Sequence, residues 1–180
     1  MPILLKNQMS VVATSDAGNG VGYTGFRIRG SAGTSINVML NGVPYNDSES
    51  QGTFFVNIPD MASSASQIVI QRGVGTSSNG TASFGASVNI LTKNPDEKPY
   101  VLGQFSAGSF NTMKTSFEAG SGKFLNNLFS VSARYSTINS DGYIDRAFSK
   151  LNSYNINALF EKGNTKIRFL TFGGKEKTYQ

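Results

Sequence analysis

Val38-Met39-Leu40-Asn41-Gly42-Val43-Pro44-Tyr45-Asn46-Asp47 carries the reading of the first half of this chain. Ile36–Leu40 is apolar at both alternating sets of positions, as in a short strand covered on both faces. Asn41-Gly42 follows, a dipeptide that accepts the positive φ angles of a tight hairpin turn. Upstream, Phe26-Arg27-Ile28-Arg29-Gly30 is another short β-rich run, ended by Arg-Gly. Downstream, Ile68-Val69-Ile70-Gln71-Arg72-Gly73 repeats that ending, and Phe84-Gly85-Ala86-Ser87-Val88-Asn89-Ile90-Leu91-Thr92-Lys93 follows. Ile68–Gln71 and Ser87–Thr92 read as strands. Pro59-Asp60-Met61-Ala62 reads as a helix start, with proline in the first turn and an acid at the positive end of the dipole. That helix is expected to reach about Ser66. Polar, glycine-rich segments separate these runs: Thr14–Tyr23, Ser31–Ser35, Asn46–Thr53 and Gly73–Ser83. Strands mixed with one or two short helices predict a small α+β domain.

Asn94-Pro95-Asp96-Glu97-Lys98-Pro99 marks a corner, and the pattern changes after it. Phe129, Val131, Ala133 and Tyr135 alternate with Ser130, Ser132, Arg134 and Ser136. Tyr154, Ile156, Ala158 and Phe160 alternate with Ser153, Asn155 and Asn157, with Leu159 an exception. Val101–Gly108, Lys114–Ala119 and Lys166–Phe172 show the same period less cleanly. A period of two gives each strand one apolar and one polar face. Five such strands in series predict an antiparallel meander. The connection Thr137–Asn152, which holds Asp141-Gly142-Tyr143, is long, whereas Gly120–Asn127 and Lys162–Thr165 are short. Short turns at one end and longer loops at the other mark a transmembrane barrel, although the short Gly108–Thr112 blurs the contrast. Pattern alone leaves a soluble sandwich with one wet face as the alternative. The small Ser and Asn side chains of the polar face tip the balance towards a barrel with a watery interior.

Composition narrows the function. The 180 residues include no Cys and no His, and the hydrophobic content is 38%. Disulfides and thiolate chemistry are excluded, and the commonest metal ligand and general base is missing. The expectation is a protein that is not an enzyme and carries no cofactor. Net charge is +5, but the basic surplus is scattered through residues 96–180 without a Lys/Arg run. That is not a nucleic-acid footprint. No apolar run approaches the ~18 residues of a transmembrane helix, and Met1–Leu5 is too short for the apolar core of a signal peptide. Neither observation bears on a β-barrel.

Three kinds of local motif bear on site chemistry. Gly20-Val21-Gly22-Tyr23-Thr24-Gly25 has dinucleotide-loop spacing, but a β-like run follows it where a helix is needed. Gly120-Ser121-Gly122-Lys123 lacks the first glycine of a phosphate loop, and Phe124 replaces its hydroxyl residue. Asp47 with Glu49, and Asp141 with Asp145, are loop acids better read as solvated charges than as a metal site.

The Arg29-Gly30 element, Leu40-Asn41-Gly42-Val43-Pro44, Ile70-Gln71-Arg72-Gly73 and Phe84-Gly85 leading to Asn89–Lys93 stand in an order that resembles the plug domain of TonB-dependent outer-membrane receptors. The resemblance covers about Leu4–Lys93. Two departures are Asn41, where Asp is common, and Val74-Gly75, where a proline often follows. It implies a plug domain over residues 1–95 and the first strands of a barrel over 96–180, both as parts of a longer receptor of the Gram-negative outer membrane. It implies active uptake of a scarce nutrient, such as a ferric siderophore, cobalamin or a glycan, driven by TonB and the proton gradient. The expected partners are TonB, the nutrient and membrane lipid. A structural or adhesive β-protein, or a passive pore, is the competing reading. Arg29 and Arg72 are expected to latch the plug to carboxylates on the barrel wall, where the planar guanidinium binds bidentately. The loops Ser31–Ser35 and Tyr45–Phe55 are expected to face substrate, with Tyr45, Asn46, Gln51, Phe54 and Phe55 mixing aromatic faces and hydrogen-bonding groups as ligand sites do.

Overall fold

The computed structural model describes residues 2–74 and 84–178, the side chains of 2 and 3 excepted. Most of the expected polar segment Gly73–Ser83, and Gly75 of the Val74-Gly75 departure, lie outside the described residues. The chain divides into two compact units. The first comprises Met1–Asn57 and Ala65–Lys93; the second comprises Ile58–Ser64 and Asn94–Tyr179.

The first unit holds a hairpin of β1 (Val11–Ser15) and β2 (Thr24–Ile28), and a four-stranded sheet of β3 (Ile36–Leu40), β4 (Val43–Pro44), β5 (Ala65–Arg72) and β6 (Ala86–Thr92). The sheet order is β4-β3-β6-β5. β3 and β6 run parallel, and the other pairs are antiparallel, so the sheet is mixed. Parallel neighbours at the centre are covered on both faces, which explains the apolar character of both positions in β3. Ile28, Ile36, Val38, Val88 and Ile90 are almost fully buried, each stabilising the unit by about 1.5–3 kcal/mol. Asn41 (φ 52°) and Gly42 (φ 82°) form the expected two-residue turn between β3 and β4, where Leu40 pairs with Val43. β1 was not expected. It precedes the glycine loop of the dinucleotide-like motif, which is the connection of a β-hairpin with no helix after it.

The expected helix is a single turn, α1 (Met61–Ser64). It stops short of Ser66 because β5 begins at Ala65 and Ser66 Oγ bonds the carbonyl of Leu91 across the sheet at 3.0 Å.

The second unit is a meander of β7 (Pro99–Gly108), β8 (Thr112–Phe124), β9 (Phe129–Ser140), β10 (Ser149–Lys162) and β11 (Thr165–Thr178), each paired antiparallel with the next. All five expected strands are present, and each runs longer than its clean alternation. The connections are 109–111, 125–128, 141–148 and 163–164. The turns 125–128 and 163–164 lie at one end; the longest loop, 141–148, lies at the other, together with the three-residue turn 109–111. The burial of the two faces decides between sandwich and barrel. The polar face is the buried one: Ser116, Ser130, Arg134, Ser136, Ser153, Asn155 and Asn157 are all buried. The apolar face is open, with Val101 70%, Phe117 56%, Tyr135 53% and Phe169 62% exposed. A water-soluble sheet buries its apolar side. This inversion suits a wall whose apolar side meets lipid. No helix among the described residues is long and apolar enough to cross a membrane, which says nothing about strands.

Candidate functional site

Within the first unit, Tyr45–Phe55 forms an ordered loop braced by Asn46. Its Nδ2 donates to the carbonyls of Ile36 (2.9 Å) and Gln51 (2.7 Å), and its Oδ1 accepts from Val38 N (2.8 Å). The carboxamide is thus committed to backbone, and it ties the loop to β3. Asp47 caps the tip, accepting from Glu49 N and from Ser50 N and Oγ. The hydrogen bonds from Ser50 lead in holding its carboxyl below the ordinary value. Gln51 is exposed at φ 59°, its Nε2 donating to Ser48 O at 3.0 Å. Tyr45 is half-buried, and desolvation raises its phenol. Phe54 is exposed.

Phe55 turns the other way. It is buried, 5.3 Å from the Phe26 ring at a 46° tilt. This pair lines a cavity of about 260 Å³ with Arg27, Gly33, Val38 and Thr53. Thr53 Oγ1 is buried with no hydrogen-bond partner among the described residues. An unpaired hydroxyl, a guanidinium and two aromatic faces around one cavity suit a ligand with an anionic or accepting group on an apolar body. Of the five loop residues, Phe55 alone lines this cavity; Tyr45, Asn46, Gln51 and Phe54 belong to the loop outside it.

The two Arg-Gly elements converge. Arg29 (φ 50°) and Gly30 (φ 79°) turn the chain out of β2, and a Cβ placed on Gly73 would lie 3.6 Å from Arg29 Nη1. Gly85 seals this corner: its N–H donates to Ser35 O at 2.7 Å, and it accepts from Gly73 N at 2.8 Å. Any side chain at Gly85 would strike Ser31. Arg29 is exposed and Arg72 half-buried. Neither forms an ion pair among the described residues, and Arg72 Nε has no hydrogen-bond partner among them.

The strongest polar constellation lies in the second unit and was not expected. Pro59-Asp60 ahead of α1 presents Asp60 to the polar face of β8 and β9. Asp60 Oδ2 accepts from Arg134 Nη1 at 2.6 Å and Ser136 Oγ at 2.7 Å; Oδ1 accepts from Lys114 Nζ at 2.6 Å and Ser63 Oγ at 2.8 Å. Arg134 also donates from Nη2 to Asp60 O (2.9 Å) and from Nε to Ser64 Oγ (2.9 Å). Both side chains of the Asp60–Arg134 pair are only 5% exposed. Burial alone would raise the Asp60 carboxyl. The hydrogen bonds from Lys114 and Ser136, with the charges of Lys114 and Arg134, outweigh it and set the value below the ordinary one. This geometry clamps Ile58–Ser64 onto the strands.

A sheet with its apolar face outward, together with a small α+β domain, defines the class of plug-and-barrel proteins of the outer membrane. Residues 3–87 match the family model described as the TonB-dependent receptor plug domain. The match includes the clamped segment Ile58–Ser64. Residues 3–87 are thus a plug domain of the TonB-dependent receptor type, and with the strands that follow they support a part of such a Gram-negative outer-membrane receptor. That family is one of transport receptors rather than enzymes.

Solved structures share the fold at low identity. The copper transporter OprC aligns over 99% of this chain and 28% of its own, with a TM-score of 0.80 and 14% identity. The FrpB iron transporter from Neisseria meningitidis aligns over 98% of this chain and 29% of its own, with a TM-score of 0.76 and 17% identity. The pyoverdine receptor FpvA from Pseudomonas aeruginosa PAO1 aligns over 95% and 24%, with a TM-score of 0.69 and 14% identity. The chain spans about a quarter of the length of these proteins. No curated protein matches the sequence.

Proposed function

We propose that this chain forms the stopper and the first wall strands of an active importer, which takes up a scarce nutrient using TonB and the proton gradient. The observation that carries the reading is the clamp: a segment of the plug-domain match is bound by a buried charge pair, Asp60–Arg134, to the polar face of lipid-facing strands. A stopper needs such a hold at rest. The substrate class favoured is a metal complex such as a ferric siderophore, because the similar structures include a receptor bound to pyoverdine, a copper transporter and an iron transporter. Cobalamin or a glycan is the remaining range. Tyr45, Asn46, Gln51, Phe54 and Phe55 are assigned to the substrate side. There Asn46 shapes the loop, Phe54 and Tyr45 offer aromatic surface, and Phe55 closes the cavity beside Arg27. Arg29 and Arg72 are assigned a second latch to carboxylates of the complete barrel, and their lack of an ion pair among the described residues agrees with partners elsewhere. The domain limits of this reading remain residues 1–95 for the plug and 96–180 for the strands. The test is uptake of labelled ferric siderophores by cells expressing the complete receptor, with and without TonB. Uptake that vanishes without TonB is expected; uptake that persists without TonB or the proton gradient overturns the reading.

A further inference from the structure

At the end with the 125–128 and 163–164 turns two strand lysines are paired with acids, while Lys162 forms no ion pair among the described residues. Lys123 Nζ lies 2.8 Å from Glu97 and 3.8 Å from Glu161, and Lys166 Nζ lies 2.8 Å from Glu161. At the end with the 141–148 loop, Lys150, Lys175 and Lys177 are exposed and form no ion pair among the described residues. The register places these three together. Lys150 stands directly opposite Lys177, and Lys175 stands opposite Asn152, one diagonal step from Lys150. Directly opposed side chains have Cβ atoms about 5 Å apart, and diagonal ones about 7–8 Å, so like charges here repel. The flanking positions of the same face, Asn139 opposite Lys150 and Thr137 opposite Asn152, bring no acid.

The face matters as much as the charge. Lys150 and Asn152 share the side of β10 that carries Tyr154, Ile156, Ala158 and Phe160, the apolar side of the wall. Just below the lysines runs a belt in register: Phe117 opposite Tyr135, Tyr135 opposite Tyr154, and Tyr154 opposite Gly173. Aromatic belts of this kind sit at the boundary between hydrocarbon and headgroups. Lys150 lies four residues beyond Tyr154, roughly 13 Å along the strand, which puts the ammonium groups at headgroup depth. Such barrels carry short periplasmic turns and their longer loops on the extracellular side; the longest connection here, 141–148, lies at the end of this cluster, which therefore meets the outer leaflet. We infer that Lys150, Lys175 and Lys177 form a binding site for the phosphate groups of an outer-leaflet lipid, with Asn139 and Asn152 as flanking hydrogen-bond donors. A lipid phosphate relieves the repulsion between Lys150 and Lys177, and its acyl chains lie along the apolar face below.

The complete receptor, stripped of lipid and held in neutral detergent, is titrated with bis-phosphorylated lipid A, with its dephosphorylated form and with inorganic phosphate. Each lysine near a membrane surface contributes about fivefold in affinity. K150Q/K175Q/K177Q is therefore expected to lose roughly a hundredfold for the phosphorylated lipid and nothing for the dephosphorylated one. K123Q/K166Q, at the paired end, is expected to bind like the wild type. K177E supplies a second reading that does not depend on the triple variant folding. It places an acid opposite Lys150, so the stripped barrel should unfold at higher temperature while lipid binding falls. Equal binding by wild type and the triple variant, or full displacement of the lipid by inorganic phosphate, overturns the inference.

Discussion

Asp60 and Arg134 stand 74 positions apart in sequence and meet at 2.6 Å, each side chain almost fully out of water. An ion pair this buried holds because its remaining groups are also satisfied, by Ser63, Ser64, Ser136 and Lys114. Removing one partner of such a pair leaves the other charge stranded, at a cost of about 3–5 kcal/mol. Asp60→Ala in the complete receptor is therefore expected to release residues 58–64. Amide hydrogen exchange at Met61–Ser64 would rise, and cells would admit small antibiotics that the wild type excludes. Unchanged exchange in this segment would show that the pair is dispensable.

The same pair sets a pH dependence. The folded-state carboxyl of Asp60 lies below its ordinary value of 3.8. A depressed carboxyl contributes stability that is fully present above the ordinary value and is lost as pH falls through the folded one. The clamp should thus hold at pH 4, where free carboxylates are half protonated, and open only in stronger acid. The chain has no cysteine, so Ala62→Cys gives one attachment point for a spin label. Label mobility should stay low down to about pH 4 and rise below it; in Asp60→Asn it should be high throughout.

Gly174 faces the clamped segment. A Cβ there would lie 2.6 Å from Pro59 Cγ and would also strike the carbonyl oxygen of Asn152. Gly174→Leu is expected to push Pro59 and Asp60 away from β9, reproducing the exchange phenotype of Asp60→Ala while leaving the charges intact. Gly173→Leu, on the opposite face under the Tyr154 ring, should leave exchange at Met61–Ser64 unchanged. Equal effects of the two would point to general strand damage.

Loop residues should separate by role. Asn46→Ala deletes three bonds to backbone, each contributing about 1 kcal/mol net. It should loosen the whole Tyr45–Phe55 loop, raising its exchange and weakening ligand binding together. Phe54→Ala removes an exposed ring and should weaken binding alone. Phe55→Ala empties the space beside Phe26 and is expected to destabilise the first unit by about 3–5 kcal/mol, read as a lower unfolding temperature.

Much of this was legible in the residues. The Asn41-Gly42 turn is local chemistry and needed no tertiary information. The period of two in β7–β11 survived because each strand keeps one face apolar, although it understated length: the ends, as at Lys175-Glu176-Lys177, are polar on both sides and look like loop. β1 was hidden because Val11–Ser15 is short and runs into a glycine loop. Asp60 has the local signature of a helix-start acid, and nothing in its neighbourhood couples it to strands far along the chain. One signal did exist. Arg134 is the single charge among Ser130, Ser132 and Ser136 on its own strand, but Glu118 stands opposite it in register, so the pattern alone does not single out Asp60. Arg29 and Arg72 attracted the latch role through their Arg-Gly endings; what the fold adds is that these two elements sit side by side.

The clamped segment lies in the interior of the plug-domain match, with Asn57 on one side and Ala65 on the other. A pull on the chain upstream of residue 57 is therefore shared by two holds in parallel, the β3–β6 pairing within the sheet and the Asp60–Arg134 fastening. Neither alone sets the force at which the segment lets go.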